Sequence, residues 1–197
     1  MSPDPRDKHM HKSHQVAAWR PVHTMAAGLT VLAVFAAPVS AAGQPEQQAA
    51  VKIGASGLQV PRFVSLKSNR VNVRKGPSTE HAVSWIFSRA GLPVEVVAEF
   101  ENWRQIRDSE GSEGWVFHAL LSGRRTAVVM PWVKTHETIT LYDDPSANSD
   151  VVARLEPGVL GSVHKCDGTW CNFTVGGISG WIEQERLWGV YRDEKVK

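Results

Sequence analysis

The residues best equipped for chemistry in this chain are two cysteines, Cys166 and Cys171, with His164 two positions before the first. A thiolate beside an imidazole is what nucleophilic cysteine catalysis requires. The same cysteines, however, bracket Asp-Gly-Thr-Trp. Two positions flanking so short a loop face each other across a β-hairpin, within the Cβ separation a disulfide demands. The spacing therefore reads as a disulfide, which by the chain-entropy account stabilises a small domain by roughly 2 kcal/mol. A thiol nucleophile is the alternative, as in a small cell-wall peptide hydrolase or a regulatory subunit of one, but no third residue orients His164. His81, His118, His136 and His164 are scattered without ligand spacing, so no metal is expected. No Gly-rich phosphate loop, serine elbow or dinucleotide fingerprint appears. The chain is accordingly expected to be non-catalytic and without a cofactor.

The elements that would position these residues come in two copies. Val71-Asn-Val-Arg-Lys-Gly-Pro-Ser is echoed by Ile139-Thr-Leu-Tyr-Asp-Asp-Pro-Ser. Gly91, Trp103, Gly114-Trp115 and Leu121 are echoed in the same order by Gly158, Trp170, Gly180-Trp181 and Leu187. The offset drifts from 68 to 66, which two single-residue deletions at turns explain. Within the first copy, Val94, Val96, Ala98 and Phe100 alternate with Glu95, Val97 and Glu99, the period of a half-buried strand. Glu101-Asn102 then turns the chain, and Trp103–Arg107 returns. Several short strands punctuated by turns predict a small all-β barrel in each copy. Large aromatics weigh heavily in so small a core, so the recurring Trp103, Trp115, Trp170 and Trp181 are expected to fill it. Trp85, Trp132 and Trp188 do not recur. Trp132 and Trp188, beside the linking and terminal segments, are expected at a seam between the copies, and Trp85 in a binding groove.

The order Val-Asn-Val-Arg-Lys-Gly-Pro-Ser, a Gly before an alternating strand, Asn-Trp, and Gly-Trp-Val before Leu-Leu resembles the bacterial SH3-like (Src-homology-3-like) domain. The first copy, residues 62–125, matches the pattern strongly. The second, residues 126–191, keeps Pro145, Trp170 and Gly180-Trp181 but has Leu-Tyr-Asp-Asp in place of Val-Arg-Lys-Gly. The resemblance implies two tandem SH3-like β-barrels, an arrangement similar to exported tandem-repeat proteins of Gram-negative bacteria. It also implies a binding or scaffolding role, with a cell-wall peptide or an envelope protein as partner. Arg74, Lys75, Gly76 and Trp85 belong to the first copy alone, which makes them the candidate ligand-groove residues.

The flanks predict a location outside the cytoplasm. Arg6, Lys8, Lys12 and Arg20 precede an apolar run, Met25–Ala37, followed by Pro38 and Val-Ser-Ala-Ala. This is the layout of a secretory signal peptide over residues 1–41, cleaved after Ala41 or Ala42, with Met10 as an alternative start. The run is too short for a membrane span. A periplasmic or secreted location follows. Residues 42–61 read as a flexible linker and residues 192–197 as a C-terminal tail. Without residues 1–41 the chain holds 18 basic and 18 acidic residues, so nucleic acid is not an expected partner. Residues 62–125 are basic by three and residues 126–197 acidic by three. The copies would dock through opposite charge, or the first would face an anionic partner.

Overall fold

The computed structural model describes residues 52–133 and 137–197. The expected signal peptide, its cleavage after Ala41 or Ala42, the start of the expected linker and His136 lie outside these residues.

Alternation in the sequence becomes alternation in burial. In the first barrel the strands are β3 (Arg62–Leu66), β4 (Val71–Arg74), β5 (Val83–Phe87), β6 (Pro93–Phe100), β7 (Trp103–Arg107), β8 (Glu113–Phe117) and β9 (Leu121–Ser122), after a hairpin of β1 (Lys52–Ile53) and β2 (Gln59–Val60). The second barrel has β10 (Thr126–Val129), β11 (Ile139–Tyr142), β12 (Val151–Leu155), β13 (Leu160–Asp167), β14 (Trp170–Val175), β15 (Ile178–Glu183), β16 (Leu187–Trp188) and β17 (Lys195–Val196). The hydrogen-bonded order is β5-β4-β8-β7-β6-β3-β9 in the first and β12-β11-β15-β14-β13-β10-β16 in the second. These are one topology written twice. A single 3-10 turn, His118–Leu120 or Gln184–Arg186, precedes β9 in the first copy and β16 in the second. The expectation of two tandem SH3-like barrels in an all-β chain holds.

Both cores are mainly aliphatic. Val71, Val73, Val94, Val96, Ile106 and Val116 fill the first, each fully buried. In the second, Gly161 and Phe173 stand where the repeat has Val94 and Ile106, and a Cβ on Gly161 would collide with the Phe173 ring. Volume lost on one strand is thus regained on its neighbour, as a close-packed interior requires. The expectation that the recurring tryptophans fill the core is corrected. Trp103 is buried but packs outside the aliphatic cluster, and Trp115, Trp170 and Trp181 are half-buried on outward positions. The inward residue of each Gly-Trp pair is the glycine. A Cβ on Gly114 would stand 2.5 Å from Val73 Cγ1, and one on Gly180 2.7 Å from Leu141 Cγ.

The expected flexible linker 42–61 and C-terminal tail 192–197 are also corrected where they are described. Residues 52–60 form the β1–β2 hairpin, whose Ser56 donates from its N and Oγ to the Glu99 carboxylate at 2.7 and 2.8 Å. A Cβ on Gly54 would collide with that carboxylate, which explains a glycine there. At the other end β17 pairs with β13, setting Val196 opposite Cys166. Residues 42–61 have no regular apolar period, which suggests a tether, but each segment docks through main-chain and carboxylate hydrogen bonds rather than apolar area.

Both barrels fall within one compact unit. Their seam is aromatic: Phe63 of β3 meets Trp188 at 5.1 Å, edge to face, and Tyr191 at 4.7 Å between centroids. Thr126 Oγ1 donates to the Gly91 carbonyl at 2.7 Å, and the Tyr191 hydroxyl donates to Glu95 at 2.9 Å. Burial, with Glu95 alongside, pushes the Tyr191 phenol up, so it remains a donor. Trp188 lies at the seam as expected. Trp132 does not: it is 49% exposed. Among the described residues opposite charge contributes at one point, where Arg125 grips Glu194 with two bonds of 2.7 and 2.9 Å.

Candidate functional groove

The first barrel's groove follows from strand alternation. With Val71 and Val73 turned inward, Asn72 and Arg74 of β4 face outward, and the loop Pro77–Thr79 rises beside them. From across the sheet come Trp103 and Phe117, cross-strand partners on β7 and β8 whose rings meet edge to face at 5.6 Å. Leu120 and Glu101 complete a depression of about 460 Å³. Phe117 is 38% exposed, an apolar surface left open to solvent. Asn72 Oδ1 is buried and meets no donor, while Arg74 spends one nitrogen on the His81 carbonyl at 2.6 Å. An aromatic floor with a few polar groups on the walls suits an extended peptide held by stacking and a small number of hydrogen bonds.

Repeat-related residues in the second barrel build something else. Thr140, Tyr142, Glu183 and Arg186 replace Asn72, Arg74, Phe117 and Leu120, and line a depression of only about 170 Å³. Glu183 and Arg186 bind each other at 2.9 Å, and Tyr142 stacks edge to face on Trp170 at 5.6 Å. Groups that would meet a ligand are already paired. The barrel has another cavity of about 360 Å³ between Gly168–Trp170 and Arg192–Asp193. Its lining carries both signs of charge, and two of its carboxylates, Glu183 and Glu185, face Arg186.

Of the four residues expected in the groove, Arg74 lines it. Lys75 is exposed beside it, with its backbone N bonded to the Ala82 carbonyl at 3.0 Å. Gly76 is buried beneath His81, whose ring occupies the space a Cβ would need. Trp85 packs against the aliphatic core and over Gly114, with Nε1 buried and unpartnered; it is a lid on the barrel rather than a groove wall. Sequence reasoning missed Trp103 and Phe117. Trp103 recurs, which by itself points to architecture. Phe117 gave a usable signal, since its counterpart is Glu183.

Cys166 and Cys171 are disulfide-bonded, as expected, at directly opposed positions of β13 and β14 with Cα atoms 4.1 Å apart. His164 Nε2 lies 3.1 Å from Thr174 Oγ1, which in turn lies 2.6 Å from Ser179 Oγ, so the imidazole addresses hydroxyls on the barrel exterior. Asp167 accepts from the N of Trp170 and of Thr169, both at 2.8 Å, and these bonds hold its carboxyl below the usual range while ordering the loop between the cysteines.

The bacterial SH3 domain model matches the chain twice, over residues 67–123 and 135–189. No curated protein matches. Solved structures similar to part of the chain include NlpC2 of Trichomonas vaginalis, at 14% identity and a TM-score of 0.30, covering 66% of this chain and 49% of that one. NlpC1 of the same organism is similar at 15% identity and a TM-score of 0.30, covering 70% and 48%. The chain spans about half the length of each.

Proposed function

The chain belongs to the bacterial SH3 domain family, and on that premise we propose that it is a non-catalytic binding module of the cell envelope. Its first barrel holds a peptide of the cell wall, or an envelope protein, in the groove floored by Trp103 and Phe117. The second barrel serves as a rigid mount. The observation that carries this reading is the contrast between the two copies: one fold, with an open aromatic groove in one and an internally paired surface in the other. The signal-like N-terminus and the disulfide both suit a periplasmic or secreted location. The alternative, a hydrolase with a cysteine nucleophile, has its thiols consumed by the Cys166–Cys171 bond.

Co-sedimentation with purified sacculi tests the proposal. The protein is expected to pellet at low salt, and Trp103→Ala to remain in the supernatant. Wild-type protein left in the supernatant would remove the wall as ligand.

A further inference from the structure

Ser65 of β3 and Ser122 of β9 are cross-strand partners. Side chains two residues apart on a strand return to the same face. Continued past the strand ends, that alternation brings Lys67 and Arg124 beside the serine pair, and the four residues border a cavity of about 260 Å³ floored by Leu66, Ala90 and Gly91. Arg124 leans back over Gly91, where a Cβ would stand 3.3 Å from Nη2. The backbone groups here are already engaged: Gly91 N donates to the Leu66 carbonyl, Lys67 N to the Leu120 carbonyl, and the Gly91 carbonyl accepts from Thr126. What remains to face a ligand is an ammonium, a guanidinium and two hydroxyls, that of Ser122 also accepting from Arg124 N at 3.2 Å and that of Ser65 recessed at 1% exposure. Among the described residues no carboxylate lines the cavity. Among the described residues, neither Lys67 nor Arg124 has a carboxylate within ion-pair distance.

The second barrel provides an internal control. There Val128 pairs with Trp188 as Ser65 pairs with Ser122, and Val129 with Leu187 as Leu66 with Leu121. In that register Ser65, Lys67, Ser122 and Arg124 correspond to Val128, Met130, Trp188 and Val190. All four counterparts are apolar, and Val128, Met130 and Val190 are buried. The left-handed glycine is kept in both copies, Gly91 at φ +80° and Gly158 at φ +83°. The fold needs the glycine; it does not need the two cations and two hydroxyls.

We propose that this cavity is an oxyanion-binding site of the first barrel, taking a carboxylate or phosphate group. A guanidinium offers such a group two parallel N–H bonds, and a lysine ammonium supplies a second charge-assisted contact. The serine hydroxyls donate to the remaining lone pairs. None of these residues lines the aromatic groove, so the site is additional to the peptide-binding reading.

Amide NMR spectra of the full chain, titrated with sodium acetate or inorganic phosphate against chloride at matched ionic strength, test it. The amides of Ser65, Gly91 and Ser122 are expected to shift saturably with at least one anion. Response to phosphate alone assigns a phosphate-bearing ligand, and response to acetate a carboxylate. Lys67→Gln with Arg124→Gln weakens binding at least about tenfold, the loss of one charge-assisted contact or more. Arg154→Gln, an exposed cation of the second barrel, leaves it unchanged. Trp103→Ala also leaves it unchanged, which separates this site from the groove. Absence of a saturable shift, or equal weakening by Arg154→Gln, overturns the proposal.

Discussion

The Glu99 carboxylate lies 3.2 Å from Arg104 Nε, on paired positions of β6 and β7 that are the repeat counterparts of Cys166 and Cys171. One register position in the central hairpin therefore carries an ion pair in the first barrel and a covalent bond in the second. Each is covered by a terminal segment, the β1–β2 hairpin over Glu99 and β17 beside Cys166.

If these positions are equivalent, the staples can be exchanged. With Cys166 and Cys171 replaced by Ala, the second barrel should lose roughly 2 kcal/mol in denaturant unfolding under oxidising conditions. In that background, Glu99→Cys with Arg104→Cys should form a new disulfide, read as the loss of alkylatable thiols. Two thiols that stay reactive in air-oxidised protein would contradict the equivalence.

Acid should release the N-terminal hairpin. Burial disfavours the charged form of Glu99, whose side chain is 1% exposed, yet Ser56 N and Oγ, Arg62 and Arg104 together pull its pKa from 4.5 down to about 2. A carboxyl depressed on folding contributes stability above its unfolded pKa and loses it as pH falls through the folded value. Amide exchange at Ser56 and Gly57 should thus accelerate as pH, corrected for intrinsic rates, drops from about 4.5 toward about 2. Glu99→Gln should cost about 3 kcal/mol at neutral pH, because Arg62 and Arg104 lose their buried partner, and should flatten the pH dependence.

The seam should make the two barrels unfold together. Phe63→Ala removes the ring that contacts both Trp188 and Tyr191, and should cost about 3 kcal/mol. Calorimetry should then resolve two transitions where the native chain gives one. Tyr191→Phe leaves the stacking but deprives Glu95 of a donor, at about 1 to 2 kcal/mol. A single sharp transition in Phe63→Ala would mean that the seam does not couple the barrels.

Groove substitutions should separate the copies. Trp103→Ala is expected to weaken peptide or sacculus binding about thirtyfold, the scale of a central aromatic contact. Phe117→Glu, which imports the residue of the second barrel, should do the same without unfolding the domain, since Phe117 is 38% exposed. Tyr142→Ala in the second barrel should leave binding unchanged. Equal loss from Tyr142→Ala would move the ligand site away from the first barrel.

The fold was legible because alternation and glycine punctuation are local signals that survive divergence. Val71, Val73, Val94 and Val96 announce their facing, and Gly114 and Gly180 mark the same turn of packing in both copies. The disulfide was legible from hairpin spacing together with the signs of export. Less visible was where the large aromatics go, because hydrophobicity does not say whether a tryptophan points in or out. Trp85 packs against the core and Trp103 floors the groove, the reverse of what recurrence suggests. The docking of residues 52–60 was hidden for another reason: it depends on Ser56 meeting Glu99, 43 residues away, and no pattern within the segment encodes that bond. The two-fold occurrence of the chain's own fold was the best guide to function, since positions that differ between the copies, such as Phe117 and Glu183, are those the architecture leaves unconstrained.

An ionic clasp in one half and a sulfur clasp in the other divide the molecule's susceptibilities. Protons in excess loosen the first barrel while leaving a disulfide untouched; a thiol reductant opens the second and ignores a carboxylate. A change in acidity and a change in redox poise therefore act on different clasps, and the stacked seam of Phe63, Trp188 and Tyr191 passes either loss of stability to both barrels.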